Sequence, residues 1–236
     1  MTSGVYYNWT EAVDTTGWSS RYWHTTVVYE NKICTIGGVS KTQVFYGDVW
    51  CTNDDMTLVE VTSSALFGPR RGHTSVVMNN KMFVLGGTDV SSKNDVWSTG
   101  DGGETWNLIA ASAGWNGRSE HASVVFDNKI YIFGGIKPGG VRDNEIWYSE
   151  NEDVDWVEMA SPAWGYRSEH SSVVYDGQMY IIGGFEGPYY LSDVWSSGFH
   201  GLHKHSLLLG MGEKVTPVWC MITKYMSLVE KVLLVI

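Results

Sequence analysis

Positive charge is scarce in this chain: 16 lysines and arginines stand against 26 aspartates and glutamates, a formal net charge of -10. That balance repels phosphate backbones and anionic lipid headgroups, so nucleic acid and membrane surfaces are excluded as expected partners. Cysteine is sparse too, with three in 236 residues. No Cys-x-x-Cys pair occurs, and Cys34 and Cys51 stand in ordinary strand positions, which reads as two free thiols and favours a reducing, cytoplasmic compartment. No basic segment followed by an apolar one opens the chain, as a secretory leader requires. Near the other end Glu213, Lys214, Lys224, Glu230 and Lys231 break every apolar stretch before it is long enough to cross a bilayer. A glycine loop leading into a helix and a hydrolase nucleophile elbow are both lacking. The expectation is therefore a protein that is not an enzyme, with no catalytic, metal or cofactor residues.

Glycine and aromatic residues are abundant, at 27 glycines and 14% aromatics, a composition that suits a turn-rich all-β protein. Residues 115–156 show why. Four short apolar runs follow one another there, each of strand length: residues 121–126, 130–133, a third centred on Trp147 and a fourth opening at Trp156. Asp127-Asn128-Lys129 joins the first two, and Asp and Asn tolerate the left-handed backbone of a tight hairpin. The pair Gly134-Gly135 closes the second run. Four antiparallel strands form a sheet with two faces to cover, so one unit is unstable without neighbours.

The neighbours are in the sequence. The glycine pair recurs as Gly37-Gly38, Gly86-Gly87, Gly134-Gly135 and Gly183-Gly184, at intervals of 49, 48 and 49 residues. Ahead of each pair stands an arginine three residues before a histidine, as Arg21 with His24, Arg70 with His73, Arg118 with His121, and Arg167 with His170. Trp50, Trp97, Trp147 and Trp195 mark the third strand of each copy, three of them following Asp-Val at Asp48, Asp95 and Asp193. Linker aromatics fall at Trp18, Phe67, Trp115 and Trp164. A period near fifty with four strands per unit marks a propeller. A residue repeated in every copy is expected to make a bond repeated in every copy, so the four histidines read as structural and not as a metal ring.

At these residues the chain resembles the kelch-repeat family, over residue 6 to about residue 197. The resemblance implies an all-β kelch-type β-propeller fragment of about four four-stranded blades, with each Arg-x-x-His strand nearest the central channel. Blades are expected at about 18–60, 67–110, 115–160 and 164–197, after an outer strand at 5–12 that enters in the middle of a repeat. It also implies a non-catalytic module that holds a protein partner through loops at one face, while a minority of the family binds or modifies sugars. Residues 99–106, Thr-Gly-Asp-Gly-Gly-Glu-Thr-Trp, resemble the Asp-box turn of other propellers, in which the aspartate bonds to the amides of its own turn. No arginine cluster or nucleophilic tyrosine accompanies it.

After residue 197 the repeat stops. Residues 198–236 carry no glycine pair, no Arg-x-x-His and no strand alternation, and His200, His203 and His205 lie there. Read one base out of frame from Leu209, the tail permits the string WNGRxxHxSVVYDNKIYVIGG. Trp219-Cys220 then forces valine and Met221-Ile222 forces aspartate, two residues apart, as Val125 and Asp127 are. The tail is thus expected to be irregular, a frameshifted fifth repeat of a truncated array.

Loops that differ between copies are where a site belongs on a repetitive scaffold. Between the second and third strands they carry Phe45, Tyr46, Lys93, Lys137, Arg142, Phe185, Glu186, Tyr189 and Tyr190, candidate contacts for a protein or a carbohydrate. Taken singly, Tyr46 and Tyr190 are expected to pack under their own loops.

Overall fold

A computed structural model describes residues 17–149 and 155–198 and the backbone of 201–205. The expected outer strand at 5–12 and the tail from 206 onward lie outside the described residues. The sixteen strands of the described residues fall into four sheets. The first blade is β1 (Thr25–Tyr29), β2 (Lys32–Val39), β3 (Phe45–Thr52) and β4 (Leu58–Thr62). The second is β5 (Thr74–Met78), β6 (Lys81–Leu85), β7 (Val96–Thr99) and β8 (Asn107–Ala110). The third is β9 (Ala122–Phe126), β10 (Lys129–Lys137), β11 (Val141–Ser149) and β12 (Trp156–Glu158). The fourth is β13 (Ser171–Tyr175), β14 (Gln178–Phe185), β15 (Tyr190–Gly198) and β16 (Gly201–His205). Every sheet is a simple antiparallel meander in chain order, and β1, β5, β9 and β13 pack against one another in sequence as the inner strands.

Two expectations change. The fourth blade takes its outer strand from Gly201–His205, inside the segment that had shown no strand pattern. An edge strand needs only free backbone groups to pair with, and β15 supplies them through Ser197↔Leu202 and Ser196↔His203. The second change concerns Cys34 and Cys51, which are not free thiols. They face each other across β2 and β3 and form a disulfide, with Cα atoms 4.1 Å apart.

Local chemistry explains the hairpins. Asp127 and Asn128 both adopt positive φ (48° and 53°), as the mirror-image turn that matches strand twist demands. Glu30-Asn31, Asn79-Asn80 and Asp176-Gly177 do the same at the three equivalent corners.

Apolar side chains divide between the two faces of each sheet, so the core lies between blades. Cys34, Ile36 and Val49 of the first blade meet Met82, Val84 and Trp106 of the second. Leu85 and Val96 meet Ile130, Ile132 and Trp156 at the next junction, and Phe133 and Ile146 meet Met179, Ile181 and Trp195 at the third. The linker aromatics Phe67, Trp115 and Trp164 plug these junctions and are almost wholly buried. Burying one such ring stabilises the array by about 1.5–3 kcal/mol.

Candidate site at the channel mouth

Each blade is built on one polar frame. The buried arginine reaches across its own sheet to the carboxylate of the third strand: Arg21 to Asp48 at 2.5 Å, Arg70 to Asp95 at 2.8 Å, Arg118 to Glu145 at 2.7 Å, Arg167 to Asp193 at 2.8 Å. The same carboxylate accepts the indole N–H two residues on, from Trp50, Trp97, Trp147 or Trp195, at 2.6–3.0 Å. A second guanidinium N–H goes to the carbonyl of the first glycine of the pair, as from Arg70 to Gly86 at 2.8 Å. Burial pushes the carboxyls of Asp95, Glu145 and Asp193 up, but the arginine and tryptophan donors outweigh it and hold all three below the usual range, Glu145 at about 2. The Asp-Val-Trp pattern and its Glu-Ile-Trp variant in the third copy thus have one cause.

The glycine pair works between blades. Gly37 forms a bulge at φ 59°, and a Cβ there would lie 2.9 Å from the Arg70 carbonyl and from the His73 ring of the next blade. The N–H of Gly38 donates to that same carbonyl at 2.9 Å, and a Cβ on Gly38 would strike the Cβ of His24. Gly86-Gly87 and Gly134-Gly135 repeat the arrangement with Arg118 and Arg167. The glycine pair is therefore a socket for the next blade's Arg-x-x-His segment.

His73 and His121 sit in these junctions, each with its Nε2 3.0 Å from a threonine hydroxyl of the preceding blade, Thr25 and Thr74. Burial holds both well below the ordinary histidine range, His73 at about 3, with the neighbouring arginine adding to the effect. They stay neutral, with the hydroxyl contact tying one blade to the next. His170 departs from the pattern. Ala122 stands where the threonine should be, and neither ring nitrogen of His170 has a hydrogen-bond partner of normal geometry. Burial and Arg167 hold it at about 3 as well.

What varies is set at the mouth of the channel. The residue before each histidine is left-handed, with φ of 54–59° at Trp23, Gly72, Glu120 and Glu169. Backbone bonds step from blade to blade through them, Gly72 N to Trp23 O at 3.1 Å, Glu120 N to Gly72 O at 2.8 Å and Glu169 N to Glu120 O at 2.9 Å. These four residues and the histidines beneath them line a depression of about 310 Å³. Around it the guanidinium of Arg71 lies 4.0 Å from the ring of Trp23, and that of Arg142 lies 4.4 Å from Phe185. Burial and the neighbouring Glu169 push the Glu120 carboxyl up, while Arg71 and Arg142 oppose the shift.

The nine rim candidates separate on inspection. Arg142 and Phe185 reach the mouth, and Phe45 flanks it, 5.8 Å from Arg71. Tyr46 is half-buried, its ring 4.1 Å from the Arg21 guanidinium. Lys93 is held by Asp89 at 2.9 Å, and Lys137 by Asp143 and Glu145 at 2.7 and 3.0 Å. Glu186, Tyr189 and Tyr190 are exposed; Tyr190, at 82%, touches Phe185 but is not covered by its loop. Trp23, Arg71, Glu120 and Glu169 were missed. They occupy the two variable places inside Arg-x-x-His, and variation within a fixed frame was the signal that could have found them.

The turn at residues 99–106 is closed by its own side chains. The Asp101 carboxylate accepts from Thr99, from the Thr105 amide at 3.0 Å and from the Thr105 hydroxyl, and Trp106 tucks into the first junction. Burial pushes Asp101 up, but the Thr105 and Thr99 bonds win and hold it at about 2.

A family model of the KLHDC2/KLHL20/DRC7 Kelch-repeats domain matches residues 5–135 and again 72–209. The chain belongs to the kelch-repeat family. Among solved structures, that of YjhT is similar to this kelch chain at 18% identity and a TM-score of 0.72, covering 86% of this chain and 75% of the other, a likeness that speaks for the fold alone. No curated protein matched the sequence. Among the described residues no helix is long and apolar enough to cross a membrane, and no group of three or more His, Cys, Asp or Glu is placed to hold a metal ion.

Proposed function

We propose that this kelch propeller is a non-catalytic interaction module that holds a protein partner at the channel-mouth face. The supporting observation is the contrast within each Arg-x-x-His segment. Arginine and histidine are consumed by the frame, while the residues between them present indole, guanidinium and carboxylate groups at one opening, with Phe185, Tyr189 and Tyr190 on its rim. Aromatic and arginine side chains are the usual anchors of protein interfaces. Chemical cross-linking of the wild-type chain in cells, followed by the same experiment with Trp23→Ala, Arg71→Ala and Tyr190→Ala combined, tests it. A partner captured by the first and lost with the second is expected; capture unaffected by the three changes contradicts the reading.

A carbohydrate ligand is the alternative, favoured by the exposed Tyr189 and Tyr190 rings and the half-exposed Trp23 ring near carboxylates that can accept from sugar hydroxyls. Reproducible binding of one sugar class on a glycan array, abolished by the same three substitutions, establishes it in place of the first. The compartment stays a proposal. A Cys34–Cys51 bridge is the kind of link kept in oxidising surroundings and weighs against the cytoplasmic expectation. Thiol titration of protein isolated under trapping conditions decides between them.

A further inference from the structure

The three blade junctions share one set of bonds, and the two end blades each carry half of it. At every junction the arginine N–H of the incoming blade donates to a carbonyl in or just ahead of the third strand of the blade before it: Arg70 to Tyr46 at 3.0 Å, Arg118 to Lys93 at 3.0 Å, Arg167 to Asp143 at 2.9 Å. The arginine carbonyl accepts from the second glycine, at Gly38, Gly87 and Gly135, and the residue before the histidine adds a third backbone bond. In the fourth blade Gly184 and Leu191 occupy the places of Gly38 and Tyr46. No arginine meets them among the described residues, and a Cβ on Gly183 would approach only the Leu191 carbonyl, where its three counterparts meet the next blade's arginine carbonyl. Ser171 stands where Thr25 and Thr74 take a histidine.

Apolar burial tells the same story. Ile36, Leu85 and Phe133 are 0–1% exposed because a following blade covers them, whereas Ile182 at the same place is half-buried. Val49, Val96 and Ile146 are buried, and Val194 is not. At the opposite end, Arg21 offers a backbone N–H and carbonyl with no junction partner among the described residues, His24 has no hydroxyl, and Ile33 is 40% exposed where Met82, Ile130 and Met179 are covered.

We propose that these two uncovered faces bind each other between chains, so that a second copy seats its Arg21-to-His24 segment in the Gly183-Gly184 socket. The occupant is argued from continuity with the established junctions: the chain holds four Arg-x-x-His segments, three fill the first three sockets, and the fourth, without a junction partner among the described residues, has the donors and acceptors of the socket that no described residue fills. The contact is head to tail, with different surfaces on the two partners, and it either closes a ring of two chains or grows. It does not depend on what the channel mouth binds.

Sedimentation velocity over a range of concentrations tests it on the full chain. Association to a mass of two chains or a multiple is expected. Ile182→Glu and Ile33→Glu, each placing a charge on one of the two faces, are expected to be monomeric at concentrations where the wild type associates. Both side chains are partly exposed in the single chain, so unchanged circular dichroism and melting are expected of the variants. Mixed at high concentration, the two variants recover a two-chain complex, because one retains its plug and the other its socket; neither does so alone. A monomeric wild type overturns the proposal, as does association that survives both substitutions, or two variants that fail to complement each other when mixed.

Discussion

The second and third blade junctions differ by one hydroxyl. At the second, the Thr74 hydroxyl meets His121; at the third, Ala122 offers no hydroxyl to His170 in the same backbone position. Yet Gly135 still donates to Arg167 at 2.9 Å and Arg167 still donates to Asp143 at 2.9 Å. The blade-to-blade geometry is therefore set by backbone bonds and the glycine socket. The histidine contact adds stability to a junction already formed, and a junction can lose it without losing its register.

The largest effect expected from breaking the comparison comes from the frame. Arg118→Ala removes a fully buried cation and leaves Glu145 and Asp143 with Lys137 as the one cation beside them among the described residues, a loss of about 3–5 kcal/mol that urea denaturation reads directly. Acid comes next. His73, His121 and His170 are held neutral by burial, so their folded-state values lie below the unfolded one. The unfolded chain takes up protons first. Stability is full above about pH 6.5 and falls by up to about 1.4 kcal/mol per histidine per pH unit as pH drops from there toward 3. A stability curve flat between pH 7 and pH 5 contradicts that burial.

Smaller changes address the hydroxyl itself. Thr74→Ala strands His121 as His170 already is, and a loss of about 1–3 kcal/mol is expected. Ala122→Thr supplies the missing partner, and a gain of about 0.5–1.5 kcal/mol is expected by the same denaturation measurement. If the two substitutions shift stability in the same direction, the histidine–hydroxyl contact is not what distinguishes the junctions.

The frame was legible in the sequence because it repeats: Arg118, His121, Gly134-Gly135 and Trp147 keep their spacing wherever the bonds they make recur. The mouth was less legible for the same reason. Trp23, Arg71, Glu120 and Glu169 stand inside the repeated Arg-x-x-His segment, which reads as uniform frame, and the variable loop residues offered instead include Lys93 and Lys137, which are tied into ion pairs of their own blades. The Cys34–Cys51 bridge depends on strand register across a bulge at the glycine pair, which spacing alone does not give. The strand at Gly201–His205 depends on a free edge, which alternation does not reveal.

Amide hydrogen exchange at the second glycine of each pair tests the socket most directly. At a concentration where the chain is monomeric, Gly38, Gly87 and Gly135, each bonded to the next blade's arginine carbonyl, are predicted to exchange only through global unfolding, while Gly184 exchanges rapidly. Fast exchange at the first three, or four amides that behave alike, would contradict it.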